Sequence, residues 1–269
     1  MKVKEYIRHV FEHQYYNMNK DRFLDIAKLQ NKEKNKSCVI VCNGPSLTVS
    51  DLDMLDEAGI ASFGTNRIYN IYKKTKWRPT YVSIFDQGLM YDKNSLAAIS
   101  DSRTEVFFLN KNAAYTARNL KCNLCLIDID WNKKNLKQPK FSTDASKGIF
   151  GIGTVTYSCI QIAYYLGFRT MYILGADNKY PWTHLKDGSH RFDAEQKSYF
   201  SELNEILKKP AMGATWEMNV AYEYAENVSK KIGFKVYNVT RGGYLEAFER
   251  MDLETALEGE RLKCIKHLL

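Results

Sequence analysis

The chain has 269 residues, of which 45% are hydrophobic and 26% are charged, and its formal net charge is +8. This composition predicts one core of catalytic-domain size with appended helical segments, and it excludes a membrane-spanning protein, because no stretch approaches the roughly 18 to 20 apolar residues that a bilayer span requires. Residues 1–20 are charged and aromatic and lack a signal-peptide pattern, so we expect a cytoplasmic protein whose positive charge favours an anionic partner.

The basic residues form three short clusters and no continuous stripe. They are Lys32, Lys34 and Lys36, then Lys73, Lys74 and Lys76, and then Lys133, Lys134 and Lys137. Such dispersion argues against nucleic-acid binding and is typical of a solvated surface. Because a well-placed basic side chain adds about 1 kcal/mol of attraction to an anionic lipid surface, peripheral association with the inner membrane face is the alternative.

Short apolar segments alternate with segments of helical spacing along the chain. The predicted strands are 38–42, 61–64, 81–85, 105–109, 124–127, 170–174 and 235–238, and the predicted helices are 51–58, 68–74, 154–166 and 221–232. This alternation predicts an α/β fold of Rossmann-like type, in which a mainly parallel sheet carries helices on both faces.

Three parts of the chain follow from this pattern. Residues 1–36 are predicted to be an amphipathic helical prelude, residues 37–250 the Rossmann-like domain, and residues 251–269 a C-terminal helix. That last helix has an apolar stripe at Leu253, Leu257, Leu262, Ile265 and Leu269, which is typical of packing on its own domain or on a second subunit, so a homo-oligomer is one expectation.

Six cysteines are scattered mostly through apolar runs, which indicates reduced core thiols. Cys122 and Cys125 have metal-type spacing, but no second pair completes four ligands, so no metal site is predicted.

The first predicted strand ends in the loop Asn43-Gly44-Pro45-Ser46. In an open α/β sheet, the loops at the carboxyl ends of the strands form the ligand-binding edge. The loop therefore indicates a nucleotide site, although it lacks the spacing of a phosphate-binding fingerprint and an ordinary strand-to-helix turn remains the alternative.

Two long loops follow further along the chain. Residues 131–151 have neither strand nor helix periodicity and are predicted to be a surface loop or lid. Residues 178–213 form a second, loop-rich lid with a high density of aromatic and ionisable groups, where we place the acceptor side of the site.

Several motifs together carry a family resemblance over residues 38–250. The motifs Asn43-Gly44-Pro45-Ser46-Leu47, Asn66-Arg67, Gly153-Thr154 and Tyr172-Ile173-Leu174-Gly175-Ala176-Asp177 resemble the bacterial lipooligosaccharide sialyltransferases. The segments 65–69, 78–81 and 238–248 are similar to the 6-hydroxymethylpterin pyrophosphokinase-like (MptE-like) family, which is the closer match.

The sialyltransferase resemblance implies a Rossmann-like fold that transfers a CMP-activated nine-carbon sugar with inversion and without an essential metal or other cofactor. Its nucleotide-sugar donor would bind to nine residues, namely Asn43, Gly44, Pro45, Ser46, Asn66, Arg67, Gly153, Thr154 and Asp177. Thr154 begins a predicted helix, where free N–H groups and the helix dipole favour a phosphate. Asp177 either binds the ribose or caps a turn, and Arg67 and Arg241 either contact a ligand or pair with structural partners.

The catalytic residues depart from the sialyltransferase pattern. Tyr180 matches the first of two tyrosines that assist phosphate departure, but His190 occupies the place of the second, and the family's later general-base histidine has no counterpart. Inverting transfer needs a base near the acceptor hydroxyl. His190 is the first candidate, His184 is the second, and Asp86 after the third strand is a rival.

Three functions remain open from the sequence. The first is transfer of a sialic-acid-type or related acidic sugar from CMP to a surface glycan or glycolipid acceptor. The second is a Mg²⁺-dependent diphosphotransferase that acts on a pterin-like alcohol with ATP, with Asp86, Asp177 and Asp193 as candidate ligands. The third is a non-catalytic nucleotide-binding subunit of a polysaccharide assembly complex.

Overall fold

The computed structural model describes residues 3–92, 95–96, 103–200 and 210–268. Its centre is an eight-stranded sheet whose paired strands all run parallel. The sheet strands are β1 (Ser37–Val41), β2 (Ala61–Thr65), β3 (Tyr81–Ile84), β4 (Val106–Asn110), β5 (Leu124–Ile127), β8 (Thr170–Leu174), β12 (Lys235–Asn238) and β13 (Glu249–Arg250). Their order across the sheet is β13-β12-β8-β1-β2-β3-β4-β5.

Helices cover both faces of this sheet, as parallel connections require. They are α1 (Val3–Met18), α2 (Val49–Ala58), the short α3 (Gln87–Met90), α4 (Val155–Leu166), α5 (Thr215–Ile232) and α6 (Leu253–Leu268). The fold is therefore the predicted Rossmann-like α/β architecture.

The alternation of side chains along β1 divides the core into two layers. Cys38 and Ile40 point toward the layer that holds α4 and α5, whereas Val39 and Val41 point toward the layer that holds α2 and α6. Because both faces of β1 are buried, the strand is apolar at every position after Ser37.

Helix α1 docks on the far end of the sheet through a buried carboxylate. Glu12 is 2% exposed, and it accepts hydrogen bonds from the backbone N–H of Tyr115 at 2.5 Å and from the Thr116 hydroxyl at 2.6 Å. These donors compensate for the cost of burying the charge. Tyr6 and Ile7, nearer the start of the same helix, are more than half exposed.

Two small sheets lie outside the main one. The strands β6 (Ile129–Asp130) and β7 (Ile149–Phe150) pair in parallel at the two ends of the first predicted lid. The strands β9 (Trp182–His184), β10 (His190–Phe192) and β11 (Met212–Gly213) form a three-stranded sheet inside the second predicted lid.

All seven predicted strands are present, with boundaries that differ by at most one residue. One helix prediction is wrong, because residues 68–74 form only a 3-10 turn, Ile68–Ile71, followed by hydrogen-bonded turns. The helix predicted over residues 251–269 begins at Leu253, after the edge strand β13. Strand β13 was too short and too polar to be predicted.

The C-terminal apolar stripe is only partly buried. Leu253 and Leu257 pack into the layer beside α2, whereas Leu262 is 59% exposed. The side chains of Ile265 and Leu269 lie outside the described residues.

The structure also bears on the expected state of the cysteines and on the expected absence of a membrane span. The five cysteines with described side chains are free thiols. No helix within the described ranges is long and apolar enough to cross a membrane.

The sheet order places a switch point between β1 and β8. The chain moves from β1 outward to β5, and then returns to β8 on the other side of β1 before continuing to β12 and β13. The loops that leave β1 and β8 therefore diverge, which opens a crevice at the carboxyl ends of these two strands.

Candidate active site

A cavity of about 490 Å³ occupies the crevice between β1 and β8. The loops after β1, β2, β3 and β8, the start of α4 and one side of α5 form its walls, and both predicted lids contribute to its rim. Its volume falls within the range of small-molecule sites.

Asn43 lies two residues after the end of β1 and lines this cavity with a side chain whose acceptor is unused. Its amide nitrogen donates to the carbonyl oxygen of Thr65 at 2.8 Å and to the Thr65 hydroxyl at 3.2 Å. These bonds fix the side-chain orientation, and Oδ1 finds no hydrogen-bond partner within the described part of the chain. A buried acceptor without a donor is costly, so a ligand N–H or O–H would stabilise it.

Asn66, at the end of β2, has the same property. Its φ of 46° is in the left-handed region, and its backbone N–H donates to Ser83 at 2.9 Å. Its Oδ1 is also buried and unpartnered among the described residues. The neighbouring Arg67 lies beside Tyr199, a residue of the cavity wall, and Arg67 itself is outside that wall.

Asp177 joins the loops that follow β1 and β8. It accepts hydrogen bonds from the Ser46 hydroxyl at 2.8 Å and from the Ser46 backbone N–H at 3.2 Å. Gly44 packs directly beneath this carboxylate, and its N–H donates to Gly175 at 2.8 Å. Asp177 and Gly44 also line the cavity, whereas Pro45 and Ser46 are not part of its lining.

Burial raises the pKa of Asp177 above its ordinary value of 3.8, although both Ser46 hydrogen bonds oppose that shift. The folded protein then binds this proton more tightly than the unfolded chain, so its stability falls as pH rises from the ordinary aspartate value through the folded-state pKa. Relative to Asp177→Asn, the wild-type protein should therefore lose stability through this window. Chemical denaturation at a series of pH values measures the difference.

The matched control is Asp187→Asn. Two Ser189 hydrogen bonds lower the pKa of this fully exposed carboxyl, so its contribution should have the opposite pH slope. If the difference between wild type and Asp177→Asn is constant or grows with pH, the carboxylate is not buried as described.

Helix α4 begins at the cavity wall. Thr154 caps it by accepting the Thr156 N–H at 3.2 Å, and the Thr154 hydroxyl lies 3.3 Å from the Tyr222 hydroxyl. Gly153, Thr154, Val155 and Thr156 all line the cavity. The unpaired N–H groups and positive dipole end of a helix N-terminus favour an anion at this position.

Tyr180 lies in the wall with its ring against Gly213, and its hydroxyl is 3.7 Å from the Met218 sulfur. Burial raises the pKa of this tyrosine far above its ordinary value. Tyr222 is also buried, and its pKa is raised for the same reason. Both phenols are therefore protonated at neutral pH and can act as hydrogen-bond donors.

The candidate general bases lie in two different parts of the structure. His184 Nδ1 and His190 Nε2 are 3.2 Å apart across the β9–β10 hairpin, and neither residue lines the cavity. Asp86 does line it, and its side chain caps α3 by accepting the Gly88 N–H at 2.8 Å. Geometry thus favours the rival candidate, Asp86, over both histidines.

Arg241 and its neighbours serve the scaffold. The Arg241 guanidinium pairs with Asp51, which is fully buried in the capping box of α2. Gly243, with a φ of 72°, packs its backbone against Asp177, where a side chain would collide. Gly243 therefore allows the close approach of this turn to the loop that contains Asp177.

The acidic residues considered for Mg²⁺ do not form one cluster. Asp86 and Asp177 line the cavity, but Asp193 lies at a second cavity and accepts the Glu195 N–H. Among the described residues, no three His, Cys, Asp or Glu side chains are grouped so that they could hold a metal ion.

Much of the cavity lining was not predicted to be part of the site, and Trp131, Thr156, Glu217 and Tyr222 are four examples. Trp131 is 39% exposed and packs on Gly151, so a tryptophan beside a glycine-containing loop was a usable signal. The other three occupy ordinary positions of buried helix faces or first turns, and no local pattern distinguishes them.

Comparison with known proteins gives two similarities. Residues 11–182 match the family described as 6-hydroxymethylpterin diphosphokinase MptE-like. The fold is similar to the structure of the MAf glycosyltransferase from Magnetospirillum magneticum AMB-1, with a TM-score of 0.54 and 12% sequence identity. The similarity covers 88% of this chain but only 38% of that protein, and at this identity it establishes a shared fold. No curated protein sequence matches this chain significantly.

Proposed function

Because the chain belongs to the 6-hydroxymethylpterin diphosphokinase MptE-like family, we propose that it is a transferase whose donor is linked through phosphate, and specifically a glycosyltransferase that uses a CMP-activated acidic sugar of the sialic-acid type. The observation that carries this proposal is the cavity at the β1–β8 switch point, which is lined by two asparagines with unpaired amide oxygens and by a helix N-terminus.

The charges around this cavity suit a weakly charged donor. Among the described residues, the lining contains one ammonium group, that of Lys179, and three carboxyl groups, those of Asp86, Asp177 and Glu217. The α4 N-terminus and Lys179 are the groups that could stabilise the single phosphate of a CMP-sugar and the carboxylate of its sugar. A triphosphate would bring more negative charge beside these carboxylates and would require divalent cations to offset it.

The nucleoside would occupy the β1 side of the cavity. Oδ1 of Asn43 and Oδ1 of Asn66 accept hydrogen bonds, and the cytosine amino group and the ribose hydroxyls supply donors. The ring of Trp131 offers an apolar surface on the opposite rim.

The transfer step follows from this placement. The acceptor hydroxyl attacks the anomeric carbon, the bond from that carbon to the phosphate oxygen breaks, and the hydroxyl proton passes to the Asp86 carboxylate. Tyr180, Tyr222 and the α4 N-terminus stabilise the departing CMP through hydrogen bonds and the helix dipole. Attack from the face opposite the phosphate gives inversion.

Asn43→Ala should weaken CMP binding by about tenfold, since the variant loses a hydrogen bond to the ligand and the contact that orders the Thr65 loop. Isothermal titration calorimetry measures the change. Asn123→Ala is the matched control, because Asn123 also donates its amide to a backbone carbonyl, that of Glu105, but at the opposite edge of the sheet. Equal losses in both variants would contradict a role for Asn43 in the site.

Titration with CMP, CDP, GDP, UDP and ATP, each with and without Mg²⁺, tests the function. Metal-independent CMP binding is the expected result. ATP binding that requires Mg²⁺ would instead support the diphosphotransferase that the family description names. Binding of none of these nucleotides would contradict both enzymes and leave the non-catalytic subunit.

A further inference from the structure

A second cavity, of about 650 Å³, adjoins the first. Asn178 and Lys179 line both cavities, so the two spaces meet at the loop that leaves β8. The remaining walls come from the β9–β10 hairpin, the segment after β10, the first turns of α5 and Tyr244.

The walls of this second cavity combine exposed aromatic rings with amide and charged groups. Phe192 is 49% exposed and Tyr244 is 60% exposed, so both rings leave apolar surface open for a ligand. The polar residues of the walls include Asn178, Asn219, Asp193, Arg191 and Lys179. Flat apolar rings beside many donors and acceptors are suited to a pyranose, which has an apolar ring face and a rim of hydroxyls.

Tyr244 is held at the junction of the two cavities. Its N–H donates to Asp177 at 2.9 Å, and Lys179 Nζ lies 3.2 Å from its hydroxyl and 4.7 Å from its ring centroid. The close approach of Gly243 to Asp177 fixes the turn that precedes it. The ring is therefore pre-positioned although it is exposed, which reduces the entropy lost when a ligand packs on it.

Asn178 supplies a polar group at the same junction. Its φ of 53° is in the left-handed region, and its amide nitrogen donates to Asn219 Oδ1 at 2.7 Å. Its own Oδ1 is buried and finds no donor among the described residues. A sugar hydroxyl at the boundary of the cavities would provide that donor.

We propose that the second cavity binds a sugar of a glycan acceptor whose chain continues past Asn178 into the donor cavity. This inference rests on the proposed function, and it adds the class of acceptor and the surface that selects it. In the proposed function the donor phosphate binds at α4, which is not part of the second cavity, so CMP and a glycoside should bind at the same time.

Photolabelling tests this proposal with diazirine-bearing methyl glycosides of galactose, glucose, N-acetylglucosamine and N-acetylgalactosamine, with and without saturating CMP. Mass spectrometry should locate the label within residues 178–195 and 215–244, and CMP should not compete with it. Tyr244→Ala and Asn219→Ala should each reduce labelling by about tenfold. Tyr6→Ala removes a similarly exposed tyrosine from α1, at 56% exposure, and should leave labelling unchanged.

The outcomes distinguish the acceptor site from the donor site. No labelling in these segments, labelling that CMP displaces, or labelling by serine- and threonine-containing peptides in place of the glycosides would overturn the proposal, whether or not CMP binds. If the protein is labelled in the expected segments but does not bind CMP, the saccharide site is supported and only the proposed donor is contradicted. Because the location of the label is read in the wild-type protein, the test holds even if a variant does not fold.

Discussion

Replacing Gly44 with alanine should abolish measurable CMP binding and lower the free energy of unfolding by about 1–3 kcal/mol, the usual cost of adding a group to a fully packed site. A methyl group on Gly44 would overlap Oδ2 of Asp177 and lie 2.5 Å from the carbonyl oxygen of Gly175. The loop could accommodate it only by breaking the contacts of Asp177 with Ser46, which hold the two sides of the crevice together. Urea denaturation and calorimetric titration measure the two effects.

Gly259→Ala is the matched control for this substitution. Gly259 lies within α6, and a methyl group there would meet nothing within 4 Å. Alanine is favoured over glycine inside a helix by roughly 0.5–1 kcal/mol, so this variant should gain stability and keep its CMP affinity. If Gly44→Ala binds CMP as well as Gly259→Ala does, the crevice between β1 and β8 is not the donor site.

Asp86→Asn should reduce turnover by about 10² to 10⁴-fold, the usual contribution of a general base, while CMP affinity changes little. The amide keeps the oxygen that caps α3 through the Gly88 N–H, so the local fold should persist. What is lost is the ability to take up the acceptor proton. CMP release from CMP-N-acetylneuraminic acid, with a glycoside acceptor identified by photolabelling, measures turnover.

His190→Ala and His184→Ala provide the contrast. These histidines contact each other on the exposed hairpin and do not line the cavity, so each substitution should leave turnover within about threefold of wild type, because a side chain out of reach of the acceptor cannot act as its base. A large loss of turnover in His190→Ala, with near-normal turnover in Asp86→Asn, would return the role of base to His190 and require the hairpin to close over the cavity.

The sheet could be predicted because its strands are buried on both faces. Strands such as 124–127 and 170–174 are short apolar runs bounded by turn residues, and the structure has the same boundaries. Strand β13 could not be predicted in this way. Its two exposed residues, Glu249 and Arg250, pair with β12 at the sheet edge, and only the tertiary fold brings them there.

Site residues could be predicted only where a local sequence motif, such as a strand end or a helix start, determines their position in the fold. The Asn43 loop and the Thr154 cap each follow from a strand end or a helix start, and the structure brings them to one cavity. Tyr222 reaches the same cavity from the middle of α5 and has the sequence pattern of a core residue. The imidazole of His190 is chemically suited to act as a general base, but the sequence does not indicate which side of a hairpin faces the site.

A crystal structure of the protein with CMP would show whether the crevice between β1 and β8 is the donor site. We expect the phosphate to lie within hydrogen-bond distance of the α4 N-terminus at Thr154 to Thr156, and the cytidine to contact Oδ1 of Asn43 and Oδ1 of Asn66. CMP bound outside the β1–β8 crevice, or bound within it with the phosphate directed away from α4, would contradict this assignment of the donor site.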